Sequence, residues 1–151
     1  ESHYKESKHL INWVLQSERL NKYNEITKLR NFFKECQNHR ILLKKLLVTL
    51  KKQNKKILGY GASTKGNVLL QYCKIDSKLL NCIFEVNKFK FNKFTPGTNI
   101  KIVSEKEAKL KKPDYLLVLP WHFKDHIIKR EKEFLKKGGK LIFPLPDIEI
   151  I

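Results

Sequence analysis

The residues best suited to chemistry stand in one short run, Gly59-Tyr60-Gly61-Ala62-Ser63-Thr64-Lys65-Gly66-Asn67. The apolar Ile57-Leu58 lead into it, and the helical pattern Val68-Leu69-Leu70-Gln71-Tyr72 follows. Strand, Gly-rich turn and helix in that order leave backbone N–H groups free at the helix N-terminus, where they can hold phosphate or another anion. Gly61 and Gly66 have the spacing of a P-loop. Asn67-Val68 stand where that loop requires Lys-Ser/Thr, which argues against a P-loop ATPase. Gly59-x-Gly61 lacks the third Gly of a dinucleotide fingerprint. The same run also reads as a tight turn with a solvated Lys and a capping Ser.

Other polar residues follow strand-like runs. Glu85 stands at the end of the run Asn81–Val86, and Asn87 and Lys90 follow it, with Thr95-Pro96-Gly97 beyond them. Pro120-Trp121-His122 follow Tyr115–Leu119, and Pro144-Leu145-Pro146-Asp147 follow Lys140–Phe143. In an open parallel sheet, ligands bind beyond the carboxyl ends of the strands, so four loops meet on one rim. Glu85 occupies the position from which such folds often bind a ribose hydroxyl. His122 is the candidate for general acid/base work; beside Trp121 and Phe123 it also reads as a packed ring at a helix start. His126 lies one turn on, but no third ligand is in view, and no metal is expected. Tyr60 and Trp121 suit the face of a sugar or base, or the core.

The elements that must position these residues change in texture along the chain. Residues 1–54 read as a helical lead-in expected to pack on the domain that follows. Within it, Glu25–Lys52 carries Ile26, Leu29, Phe33, Cys36, Ile41, Leu43, Leu47 and Leu50 on one broad stripe. Residues 55–151 alternate strand and helix. Strands are expected at Lys56–Tyr60, Asn81–Val86, Tyr115–Leu119 and Lys140–Pro144, with a shorter one at Asn99–Val103. Helices are expected at Gly66–Cys73, Ser104–Leu110 and Phe123–Lys137. Ser104-x-x-Glu107 reads as a capping box and Gly138-Gly139 as a helix stop. Runs as apolar as Tyr-Leu-Leu-Val-Leu are covered on both faces. The expected fold is α/β: a Rossmann-like, mostly parallel sheet with helices on both faces, preceded by the helical segment.

Composition bounds the rest. A chain of 151 residues with 41% apolar content suits a single compact unit. The net charge of +17 comes mostly from Lys spread along the whole chain, with Arg only at 19, 30, 40 and 130. A nucleic-acid reader clusters Arg with aromatics, so this charge reads as solvated helix faces, and nucleic acid is not expected as a partner. Cys36, Cys73 and Cys82 lack zinc spacing and read as buried thiols of a cytoplasmic protein. No apolar run reaches membrane-spanning length. With no Met and an opening in mid-pattern at Glu1, the chain reads as part of a longer protein.

The run at 59–67 combines with Leu70-Gln71-Tyr72, Thr95-Pro96-Gly97-Thr98, Pro113-Asp114-Tyr115, Leu117-Val118-Leu119-Pro120-Trp121-His122-Phe123 and Gly138-Gly139-Lys140-Leu141-Ile142-Phe143-Pro144-Leu145-Pro146. Together these resemble the C-terminal domain of the S-adenosylmethionine-dependent sugar C-methyltransferases, over nearly the whole chain. The resemblance implies three parts: a zinc-binding segment, a middle domain that holds S-adenosylmethionine, and this third domain, which closes the cleft on a nucleotide-linked keto-deoxysugar. In such an enzyme a carbon next to a carbonyl is deprotonated and the enolate takes a methyl group. The resemblance places Ser63, Thr64, Lys65 and Asn67 on the ligand-facing loop and His122 in the Trp-His-Phe motif. Lys88 and Asn92 depart from the family's usual Pro and Gly.

The expected binding set is Tyr60, Gly61, Ser63, Thr64, Lys65, Asn67, Glu85, Asn87, Trp121 and His122, with His122 as the catalytic candidate. No cofactor is expected on this chain alone, and the chain alone is expected to be inactive. The alternative is a stand-alone, non-catalytic module that binds a sugar nucleotide or another protein.

Overall fold

The computed structural model describes residues 7–151, and the part of the helical expectation on residues 1–6 lies outside them. The chain divides into two compact units between Asn38 and His39. Helix α1 (Lys8–Leu20) and the first part of α2 (Ile26–Lys52) belong to the first unit. There the Ser7 hydroxyl caps α1 by accepting from the Leu10 N–H. The stripe residues Ile26, Leu29 and Phe33 are exposed in this stretch, while Cys36 is half-buried.

The second unit is built on a six-stranded sheet in the order β3-β2-β1-β4-β5-β6. The strands are β1 (Ile57–Tyr60), β2 (Ile83–Glu85), β3 (Ile102–Ser104), β4 (Tyr115–Val118), β5 (Lys140–Phe143) and β6 (Glu149–Ile150). The first five run parallel, and only β6 runs antiparallel, against β5. The order reverses between β1 and β4, which makes their carboxyl ends the switch point of a doubly wound sheet.

Alternation along each strand divides the core in two. Ile57, Ile83, Leu117 and Ile142 face one side, where Leu43, Leu47 and Leu50 of α2 and Leu69 and Leu70 of α3 (Thr64–Tyr72) cover them. Leu58, Tyr60, Phe84, Leu116, Val118, Leu141 and Phe143 face the other, under Ala108 of α4 (Glu105–Leu110) and Ile127 of α5 (Lys124–Arg130). Ser104 caps α4 in keeping with the capping-box pattern, accepting from the Glu107 N–H at 3.2 Å.

Two features differ from the sequence expectation. The helix expected over Phe123–Lys137 breaks at Glu131 into α5 and α6 (Lys132–Lys136). The bend turns Glu131 inward, leaving it 6% exposed, while Arg130 pairs with Glu105. Strand β6 has no signature in the sequence; two residues are too short to show a period.

Candidate functional site

The Gly-rich run ends β1 and opens α3. Ser63, with extended backbone, accepts from the Gly66 N–H at 3.0 Å through its hydroxyl and so caps the helix. The N–H groups of Thr64 and Lys65 have no partner among the described residues and point from the positive end of α3. Gly66 is required by close approach. A Cβ there would lie 2.5 Å from Leu119 Cβ and 2.8 Å from Ser63 Oγ. The absent side chain lets α3 settle against the end of β4. Gly61 turns the chain at φ +74°, with Pro120 against it. The loops after β1 and β4 therefore touch, and parallel pairing places Lys65 and His122 on the same edge of the sheet.

Glu85 ties this loop to the next one. One carboxylate oxygen accepts from Val86 N–H at 2.8 Å and Asn87 N–H at 3.1 Å. The other accepts from Ala62 N–H at 3.1 Å and from Lys90 Nζ at 3.4 Å. Lys90 also donates to the Ala62 carbonyl at 2.9 Å, so the Ala62 residue is gripped at both its N–H and its C=O. Burial alone pushes the Glu85 carboxyl up. The Asn87 and Val86 N–H groups and the Lys90 ammonium outweigh it and hold the carboxyl below its ordinary range. A carboxylate has about four acceptor sites, and all are engaged by the protein. Asn87 is engaged as well: its side chain caps the 3₁₀ turn Lys88–Lys90 by accepting from Phe89 N–H at 3.0 Å.

A cavity of about 260 Å³ opens beside these residues. Its walls include Ser63, Thr64 and Asn67 from the Gly-rich run, Lys90 from the second loop, and Thr95 and Pro96 from the third. The last loop is held firmly. Buried Thr95 and Thr98 share a hydroxyl–hydroxyl bond of 2.7 Å, and Gln71 of α3 donates to the Pro96 carbonyl at 3.1 Å. Asn67 Oδ1 is buried without a hydrogen-bond partner among the described residues. A buried acceptor left unpaired is costly.

The remaining expected residues lie elsewhere. The Lys65 side chain is exposed and does not line the cavity. Tyr60 faces the opposite side of the sheet, edge-on to Phe84 at 4.7 Å and beneath Arg130. Burial pushes its phenol up to about 12 although Arg130 opposes this. Trp121 is half-buried across the end of both core clusters. His122 is exposed, with its ring 4.3 Å from that of Phe123. Lys90 and Thr95 line the cavity although the sequence assigns them no binding role. Their place on the rim is visible in the strand pattern, but not which of their side chains turn inward. Among the described residues no helix is long and apolar enough to cross a membrane.

Comparison with known proteins bears on this arrangement. A family model described as the C-methyltransferase C-terminal domain matches residues 1–146. The C-methyltransferase NovU of Streptomyces niveus is 34% identical over 122 residues, which cover 81% of this chain and 29% of that protein. The chain thus spans about three-tenths of the length of the curated relative it matches. With nearly its whole length matched and the Gly-rich loop, Thr-Pro-Gly turn and Trp-His-Phe segment all placed on one sheet edge, the chain belongs to the C-methyltransferase C-terminal domain family.

Proposed function

We propose that this chain is the substrate-side domain of an S-adenosylmethionine-dependent C-methyltransferase, and that its rim holds a nucleotide-linked keto-deoxysugar. The observation that carries this reading is the cavity beside the free N–H groups of α3, where Ser63, Thr64, Asn67 and Lys90 stand among apolar walls. Polar side chains for sugar hydroxyls and backbone donors for a phosphate are the two kinds of group that a sugar nucleotide calls for together. Ser63 fixes the helix start, while Glu85 and Asn87 hold the neighbouring loop. His122, on the adjoining loop, orients a sugar oxygen. The lead-in over residues 1–54 connects residues 55–151 to the methyltransferase and zinc-binding parts of the intact enzyme, in the cytoplasm.

At the rim, S-adenosylmethionine finds no free acid for its ribose. The acid at the end of β2 has no acceptor site left for a ribose hydroxyl. In this reading the methyl donor is held by another part of the enzyme, and this chain's residues bind and orient the acceptor.

Titration calorimetry on the isolated chain tests the proposal. A panel of nucleoside-diphosphate sugars should include one that binds, while S-adenosylmethionine should give no heat of binding. Micromolar binding of the methyl donor with no response to any nucleotide sugar would sink it.

A further inference from the structure

We infer that Lys90, rather than Lys65, is the cation that receives the phosphate of a ligand in the loop cavity. The inference rests on the sugar-nucleotide reading and names the residue that would carry its charge recognition. Lys65 is the obvious candidate from sequence, because it stands in the Gly-rich run. Its side chain is exposed and lies outside the cavity wall. Lys90 is on the wall.

Lys90 is also preorganised. The Asn87 side chain caps the short 3₁₀ turn that carries it, and the Lys90 N–H returns to the Asn87 carbonyl at 3.0 Å. Its ammonium is held at 2.9 Å from the Ala62 carbonyl and 3.4 Å from Glu85. An ammonium has three N–H donors. Two are engaged, and the third has no partner among the described residues. Glu85 compensates this charge only in part, because the same carboxylate accepts from three backbone N–H groups. Side chains fixed before binding lose less entropy when the ligand arrives, so a clamped lysine is worth more than a free one.

The bond from Lys90 to the Ala62 carbonyl sets the ammonium at the residue just before the helix cap Ser63, close to the unpaired N–H groups of Thr64 and Lys65. Cation and helix donors, on one cavity wall, are thus placed to act on one anion.

The test uses the chain of 151 residues with inorganic pyrophosphate and with uridine diphosphate glucose as probes. Lys90→Gln should weaken pyrophosphate binding about tenfold or more, the order expected for a hydrogen bond to a charged group. Lys65→Gln should weaken it less than about threefold, as for a screened surface charge. Because Lys90→Gln also loosens the Ala62 loop, lysine acylation of the unmodified protein supplies an independent reading. Saturating pyrophosphate should slow acylation of Lys90 at least several-fold and leave Lys65 within twofold. Binding that shifts the α3 amides but leaves Lys90 unprotected and Lys90→Gln unaffected would overturn this inference alone. Absence of binding by either probe to the wild-type chain would overturn it together with the sugar-nucleotide reading.

Discussion

Replacing Glu85 with Gln should destabilise the fold by about 2–3 kcal/mol at neutral pH. The side chain is 11% exposed and serves four donors, at 2.8, 3.1, 3.1 and 3.4 Å. Glutamine keeps one acceptor oxygen and turns an NH₂ toward the remaining donors. If the oxygen stays with Val86 and Asn87, the Ala62 N–H and the Lys90 ammonium lose their acceptor. Each partly buried donor left unpaired costs about 1–3 kcal/mol, reduced here because water reaches Lys90. In a domain of this size that is a fall in Tm of about 5–10 °C. The carboxyl lies below its ordinary range in the folded state. Its stabilisation is therefore full above the unfolded pKa and is lost as pH falls through the folded pKa. Thermal unfolding followed by circular dichroism should show a large gap between wild type and Glu85→Gln at pH 7 that narrows below about pH 4. A gap under 1 °C at pH 7, or one that persists unchanged in acid, would refute the clamp.

Gly66→Ala should cost about 1–2 kcal/mol, because the clash with Leu119 and Ser63 outweighs the gain in helix propensity; chemical denaturation measures it, and a stabilised variant would show that α3 does not rest on β4. Burial raises the Glu131 carboxyl, and the Glu105 charge adds to this against Arg130. Its unfavourable ionisation is felt as pH rises above the unfolded pKa, so Glu131→Gln should raise Tm at pH 7 and change it little below pH 4. Burial pushes the Cys73 thiol up to about 11 and the Cys82 thiol up as well, and both are sequestered. A thiol reagent on the native chain should therefore label half-buried Cys36 first; equal rates at all three would contradict the packing.

Much of the fold is legible in the amino-acid sequence, because each parallel strand is covered on both faces and shows as a short apolar run between Gly, Pro and Asn. Tyr115–Val118 and Lys140–Phe143 are of this kind. The break at Glu131 is not legible. Nothing in Lys-Arg-Glu-Lys-Glu separates a continuous helix from one bent by a buried carboxyl. The site is legible as a rim but not in its division of labour. Tyr60 adjoins Gly61 in sequence, yet the period of the strand sends its ring to the far face beside Phe84. Glu85 stands where a ribose-binding acid belongs, and only the fold brings the Ala62 N–H and the Lys90 ammonium onto it. Asn67 illustrates the converse. Its place one residue after Gly66 marks it as part of the loop, but its unpaired oxygen is a fact of packing.

The substrate-side role is tested most directly by amide chemical-shift mapping of the ¹⁵N-labelled chain during titration with nucleoside-diphosphate sugars and, separately, with S-adenosylmethionine. The nucleotide sugar that binds should shift the amides of Ser63 through Asn67 together with those of Lys90 and Thr95, while S-adenosylmethionine shifts none of them. Shifts of these amides by S-adenosylmethionine alone, or a nucleotide sugar that perturbs only residues on the Tyr60 and Phe84 face of the sheet, would contradict it.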